Sequence, residues 1–476
     1  MRRIVHLSLP AVLALGACSE QPSAPRSTPS FSMVTAAPSG GGNLTGRHLV
    51  SFRGPVPAGF ANQVAALGAR VEWVSSGARL AVVSGLSGPA TATLAQRSWI
   101  QSVVADQSFA LDDPAVNPAN VELADATESQ ANPAGAFFFA RQWNMRAVQA
   151  NLAWAAGFLG SADVDVFILD TGIDYLNLDL NGLVDQSRSV DLLGTFTIDT
   201  FSFTEKDTVA KYFPTRQPFT DLFFHGTHVG ATVSSLAIGA AGVTSRTNLV
   251  AVKVCAYLNT CPFSSVLNGV IYAADHGADV VNMSLGGGFS KAGNGIFVGF
   301  INKAFNYARS KGVTIVVAAG NAAVDLDHNG NTYTTYCDTP AVICVAATGP
   351  TAQASVNGPW TNVDAPSYFT NFGRSAINVA APGGNNVTFV WAACSRTSLL
   401  IPICRTGNFF VGAQGTSMST PHVAGTAALL VPILGRNPAA IKARIQETAD
   451  DLGAPGTDPF YGRGRLNVAR AVGAIP

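Results

Sequence analysis

The 476-residue chain sets 29 Lys and Arg against 29 Asp and Glu, so no net field marks nucleic acid or an anionic membrane surface as its partner. With 47% hydrophobic residues it is long enough for two or three domains with full cores, which excludes a disordered tail. Charged residues make up only 12% while glycine reaches 47 copies, leaving Ser, Thr, Asn and backbone to cover much of the surface, as in an exported protein.

Arg2 and Arg3 precede a mostly apolar stretch, Ile4 to Leu15, that ends in small residues, the pattern of an export signal rather than of a buried core helix. The stretch is too short for a membrane span, and the rest of the chain offers no uninterrupted run of about 18 apolar residues. At its end, Leu15-Gly16-Ala17-Cys18 resembles the lipobox at which bacterial lipoproteins acquire their lipid. Residues 1–18 thus read as a signal with Cys18 as lipidation candidate, which would tether the protein to a membrane; ordinary signal cleavage after Ala17 is the alternative. Residues 19–43, rich in Ser, Pro, Gly and Ala without periodicity, read as a flexible linker.

Residues 44–113 hold strand-like runs at His48 to Phe52, Val71 to Val74, Arg79 to Val83 and Ile100 to Ala105, with helix-like runs at Phe60 to Leu67 and Ala90 to Ala95. This order is a split βαβ pattern, a small α+β ferredoxin-like domain with many unrelated uses. Residues 114–136, rich in Pro, Asn, Ala and acidic side chains, read as an exposed linker open to nicking. From 137 to 476, β-branched runs alternate with helix-like segments: Val164 to Leu169, Asn248 to Val254, Val280 to Ser284, Thr314 to Ala318 and Ile343 to Ala347. That alternation predicts an α/β fold, a doubly wound, mainly parallel sheet with helices on both faces.

Three segments of the large domain carry chemistry. Val166 to Asp170 is a buried strand that delivers a carboxylate at its C-terminal end, where ligands bind in open α/β sheets; alone, such an Asp is as readily a turn cap. His225-Gly226-Thr227-His228 opens a small-residue helix. The two histidines lack an acidic third ligand and the HExxH pattern, so His225 is expected to act and His228 to pack. Gly415-Thr416-Ser417-Met418-Ser419-Thr420-Pro421 feeds an apolar helix, with Pro421 expected in its first turn. A serine at such a helix start presents an exposed hydroxyl and an unpaired N–H, although it is equally a plain N-cap.

Together, Asp170, His225 and Ser417 in this chain order resemble the catalytic triad of the subtilisin-like serine proteases. The likeness extends from Gln142-Trp143-Asn144 to Val472 and includes Thr448-Ala449-Asp450 and Tyr461-Gly462-Arg463-Gly464. It implies a subtilisin-like fold and a serine endopeptidase that cuts extended polypeptides through an acyl-enzyme. It implies Asn321, in Ala318-Ala319-Gly320-Asn321, as oxyanion donor beside the Ser417 N–H. It also implies Ser284, Leu285 and Gly286, with Ala319 and Gly320, as backbone edges that bind substrate as added strands. The unit 44–113 resembles the inhibitory propeptide of these enzymes, so the chain is expected to be an autoprocessed zymogen with its own propeptide as intramolecular partner. Phe224, in place of a small residue, and the inverted Gly230-Ala231 depart from the usual pattern, and 191–224 reads as a variable loop.

Seven cysteines less Cys18 leave an even six. The near neighbours Cys255 and Cys261, Cys337 and Cys344, and Cys394 and Cys404 are disulfide candidates among fifteen connectivities. No cofactor is required for the chemistry. Family members commonly bind stabilising Ca²⁺, for which Asp325, Asp327 and Asn329 are candidates in a loop without a closing Glu, position twelve being Tyr336. Peptide-bond hydrolysis by an exported, extracellular or envelope-held monomer that binds polypeptides and no nucleic acid is the expectation. A non-catalytic envelope binding protein on a protease fold is the alternative, and an esterase would want a GxSxG elbow that Ser417 lacks.

Overall fold

The split βαβ pattern folds in the expected order: β1 (Arg47–Phe52), α1 (Phe60–Ala65), β2 (Arg70–Ser75), β3 (Leu80–Ser84), α2 (Gly88–Ala95) and β4 (Ile100–Ala105). The computed structural model describes residues 45–111, 120–198, 201–334, 336–339 and 342–476. The expected signal with Cys18, the linker to residue 43 and positions 112–119 lie outside these residues. The four strands form an antiparallel sheet in the order β2-β3-β1-β4. Strand alternation sends Val50, Phe52, Ala81 and Val83 to a small core with Phe60, Val64 and Leu94 of the two helices. Leu49, Leu80 and Val82 point the other way, into the core of the large unit, so β1 is buried on both faces. Ser87 caps α2 by accepting from the Ala90 N–H at 3.3 Å, with Pro89 in the first turn. A short strand, β5 (Ser108–Phe109), continues from β4.

The stretch 114–136, expected as a linker, is docked on the large unit from Asn120 onward. Its strand β6 (Val121–Leu123) pairs antiparallel with Phe409–Val411, Glu122 reaches Arg141 at 2.7 Å, and Ala124 joins the main core. Farther on, Phe138 N–H donates to Gly239 at 2.7 Å, and the Gln142 amide both accepts from and donates to the backbone of Ala241.

Seven parallel strands form the main sheet. They are β7 (Asp165–Asp170), β8 (Val190–Asp191), β9 (Asn248–Lys253), β11 (Val280–Met283), β12 (Thr314–Ala318), β13 (Val342–Thr348) and β14 (Val379–Pro382), in the order β14-β13-β12-β11-β7-β9-β8. The sheet is covered on both faces, and its two cores follow strand alternation: Val166 and Ile168 face one, Phe167 and Leu169 the other. The first core takes α4 (His225–Val233) and α7 (Thr416–Leu434); the second takes α5 (Phe263–Asp275) and α6 (Gly295–Ser310). Helix α3 (Glu205–Tyr212) lies in the variable segment, with Glu205 buried against Lys253. Strand β10 (Cys261–Pro262) precedes α5, and a hairpin of β15 (Val390–Ala393) and β16 (Phe409–Ala413) leads into α7.

The chain crosses to the other half of the sheet between β9 and β11, so β7 sits at the switch point and the strand ends there open the crevice. Disulfides join Cys255 to Cys261, Cys337 to Cys344 and Cys394 to Cys404. Among the described residues, α7 alone is long and apolar enough to cross a membrane, and its first fifteen residues are buried in the core.

Candidate active site

Asp170 ends β7 and is fully buried. Its Oδ1 accepts from the Nδ1–H of His225 at 2.7 Å and from the Thr171 N–H at 2.7 Å. His225 opens α4. The helix starts this close to β7 because Gly226 follows: a Cβ there would lie 2.1 Å from the Gly172 carbonyl oxygen and 3.1 Å from the Asp170 side chain. With Nδ1 bound to the carboxylate, the ring's Nε2 is turned to the opposite side.

Ser417 is the second residue of α7 and only 3% exposed. The sequence suggested a hydroxyl presented to solvent, but α7 enters the core from its first residue. The Ser417 hydroxyl donates to the Ser284 carbonyl at 3.1 Å, and the Ser284 hydroxyl donates to the Ser417 carbonyl at 2.8 Å. Pro421 is the sixth residue of α7, not a member of its first turn. It has no N–H for the Ser417 carbonyl, and Ser284 supplies that bond instead.

Asn321 follows β12. Its Oδ1 accepts from the N–H and the hydroxyl of Thr416 at 2.7 and 2.9 Å, which ties the amide to the helix start. The Gly320 N–H donates to the Thr416 hydroxyl at 3.0 Å. Asp170 at the end of β7, Ser284 after β11 and Asn321 after β12 thus bond to His225, Ser417 and Thr416, which open α4 and α7.

A family model described as the subtilase family matches residues 161–464. The chain belongs to the subtilase family. It is 31% identical to thermitase of Thermoactinomyces vulgaris over 343 residues, covering 71% of this chain and 99% of thermitase. It is 29% identical to subtilisin E of Bacillus subtilis (strain 168) over 372 residues, covering 76% and 79%. In fold it is similar to the epidermin leader peptide processing serine protease of Staphylococcus aureus, with TM-score 0.65, 20% identity and coverage of 90% and 97%. It is also similar to fervidolysin of Fervidobacterium pennivorans, with TM-score 0.63, 22% identity and coverage of 90% and 61%. This subtilase is a serine endopeptidase with a subtilisin-like α/β fold.

Several residues of the subtilase's site escaped the sequence analysis. Asp221 is fully buried and accepts from the Thr171 hydroxyl at 2.9 Å, the Phe223 N–H at 2.9 Å, and the N–H and hydroxyl of Thr227 at 2.9 and 2.7 Å. Burial pushes its carboxyl up to about 6, with nearby Asp170 adding to the rise. The signal was an acid among Phe219, Leu222, Phe223 and Phe224, where only a fully bonded carboxylate can be kept. Asn371 is the second. It accepts from the N–H groups of Ala322 and Val324 at 3.0 Å and donates to Ala319 at 2.8 Å, holding the Asn321 loop.

His228 packs as expected: it is buried, its Nε2 donates to Val390 O at 3.0 Å, and burial lowers it to about 3. His422 is also buried; burial lowers it to about 4, its Nδ1 donates to Met418 O at 2.8 Å, and its Nε2 accepts from Asn144 at 2.9 Å. Both are neutral structural histidines.

The segment after β4 lies on the large unit. Phe263 N–H donates to Gln107 O at 2.8 Å, and β5 pairs antiparallel with β10, an edge the sequence analysis did not name. Phe109 enters an aromatic recess with Phe263, Phe289, Phe297 and Tyr333. Gly287 lies against it, where a Cβ would sit 2.9 Å from Phe109. Leu111, buried, shares a core with Leu285. Of the calcium candidates, Asp325 holds His328 at 2.7 Å, Asp327 accepts from the Ser375 N–H at 3.1 Å, and Asn329 donates to Thr334. Their polar atoms serve different partners, a poor fit to one ion.

Proposed function

We propose that this subtilase cleaves extended polypeptides with Ser417 as nucleophile, His225 as general base and Asp170 as its orienting carboxylate. The carrying observation is the buried Nδ1–H to Oδ1 bond of 2.7 Å between His225 and Asp170, which fixes the tautomer that leaves Nε2 as the base. For attack, the Ser417 hydroxyl transfers its hydrogen bond from the Ser284 carbonyl to His225 Nε2. His225 then takes the proton as Oγ adds to the scissile carbonyl. The oxyanion is held by Asn321 Nδ2 and the Ser417 N–H. His225 returns the proton to the leaving amine, and water hydrolyses the acyl-enzyme by the same route.

The protein is exported, as its N-terminal residues suggest, and Cys18 provides a lipid tether. It is made as a zymogen in which residues 44–113 inhibit in cis; the lie of β5 along β10, the packing of the partly buried Phe109 in its aromatic recess and the burial of Leu111 support this reading. Purified protein should digest casein and lose that activity on Ser417→Ala or with a serine-directed phosphonate. Undiminished digestion by Ser417→Ala defeats the assignment.

A further inference from the structure

Arg47, on β1 of the small unit, is buried at the joint with the large one. Its Nη1 donates to the hydroxyls of Ser264 and Ser265 at 3.2 Å each. Its Nη2 donates to the carbonyls of Leu193 and Thr195, the latter at 2.8 Å. All four acceptors belong to the large unit: two from the variable segment after β8, two from the first turn of α5. Between the carbonyls, Gly194 has φ +59°, and a Cβ there would approach Nη2 to 2.9 Å. The turn therefore takes its shape and its closeness to the guanidinium from a glycine.

The surroundings are arranged for a cation. Burial lowers the Arg47 guanidinium from its ordinary value, and the carboxylates of Asp106 and Glu72 and, on the large-unit side, Asp191 oppose that loss. Asp106, whose N–H donates to Arg47 O at 2.9 Å, accepts from the Ser264 N–H at 2.9 Å and its hydroxyl at 2.6 Å. Ser264 thus gives its proton to the acid and its lone pair to the arginine.

We propose that Leu193 O, Thr195 O, Ser264 Oγ and Ser265 Oγ form a guanidinium-binding socket outside the peptide cleft. Through it the catalytic unit holds its N-terminal unit by Arg47. Four acceptors spread over two nitrogens suit a planar fork and not a point ammonium. The socket places a second, charge-based attachment beside the strand pairing of β5, and it makes part of the variable segment a receptor. This inference rests on reading residues 44–113 as an inhibitor in cis.

The test uses the full chain. After processing, native mass spectrometry follows how fast the cut N-terminal fragment leaves, and peptide hydrolysis in the same sample gives the lag. Arg47→Ala and Arg47→Lys should each release the fragment at least about tenfold faster, the scale of lost charge-assisted hydrogen bonds. Ser265→Ala, on the receiving side, should release it a few-fold faster. Millimolar methylguanidinium, but not methylammonium, should slow release from Arg47→Ala. Release by Arg47→Lys at the wild-type rate, or equal slowing by methylammonium, overturns the socket. If the wild-type chain is fully active with the fragment still bound, the inhibitory reading falls, while release rates still judge the socket.

Discussion

Asp221 is joined to Asp170 through one residue: Thr171 gives its hydroxyl proton to Asp221 at 2.9 Å and its amide proton to Asp170 at 2.7 Å. The same hydroxyl accepts from the Gly226 N–H at 3.0 Å, so the strand end and the histidine helix are located by a shared group. Thr171→Val should therefore lower kcat by about 10- to 100-fold with little change in KM, since misplacing a catalytic group by around 1 Å carries such a cost. Steady-state kinetics on a peptide amide, with the pH profile of kcat/KM, checks this. A purely structural loss would lower the active fraction and leave kcat per active site unchanged.

Asn321→Ala should reduce kcat by about 10²- to 10³-fold while KM holds, the range for losing one oxyanion donor. Active-site titration with a phosphonate should still label Ser417. An unchanged kcat removes Asn321 from the oxyanion site.

The disulfide Cys394–Cys404 closes a loop whose Ser395 and Thr397 hydroxyls donate to the Asp221 carbonyl at 2.6 and 2.7 Å. Opening it with paired Ser substitutions should cost about 2–3 kcal/mol by loop entropy. Urea unfolding in a Ser417→Ala background, where the chain cannot digest itself, measures the loss. Activity in the otherwise wild-type chain should fall as well, because the loop supports the Asp221 backbone.

His228 and His422 are held neutral by burial, lowered to about 3 and about 4 from an ordinary value near 6.5. Unfolded, each binds a proton below about 6.5; folded, neither does until the pH reaches the lowered value. Between those limits the unfolded state holds more protons, so these two residues remove stability as pH falls from about 6.5 towards 4. Asp221 acts in the opposite sense. Its raised value means that the folded state holds the extra proton between roughly pH 4 and 6, and its contribution declines as pH rises through that window. His422→Gln in the Ser417→Ala background should flatten the acid limb by about one proton per molecule. Urea midpoints from pH 4 to 7 test it.

The strand β6 and the ion pair of Glu122 with Arg141 attach residues 120–124 to the catalytic unit independently of the small unit. The mature enzyme should therefore retain them, with a new N-terminus at or before Asn120. Intact mass of the processed protein decides this, and a mature chain beginning beyond Asn120 refutes it.

Much of this architecture is written in local pattern. Thr314 to Ala318 is five apolar or β-branched residues bounded by Gly312 and Gly320, and it is a strand over that same span. The His225–Asp170 pair was legible because both residues sit at strand or helix ends within motifs. What escaped depends on contacts between distant segments. Val121–Leu123 is a strand only because β16 offers an edge, and its acidic, Asn-rich neighbours conceal that. Val379–Pro382 is made of small residues and ends in proline, so it lacks a β-branched signature. Asp221 and Asn371 look like turn residues until the groups their side chains satisfy, as many as 52 residues away, are brought to them.

A continuous helix would bind Ser417 lengthwise, one rung among many. Because position 421 has no proton to give, the rung under Ser417 is missing, and the Ser284 hydroxyl, just past β11, fills it crosswise. Ser417 is thereby registered to the sheet that also carries Asp170.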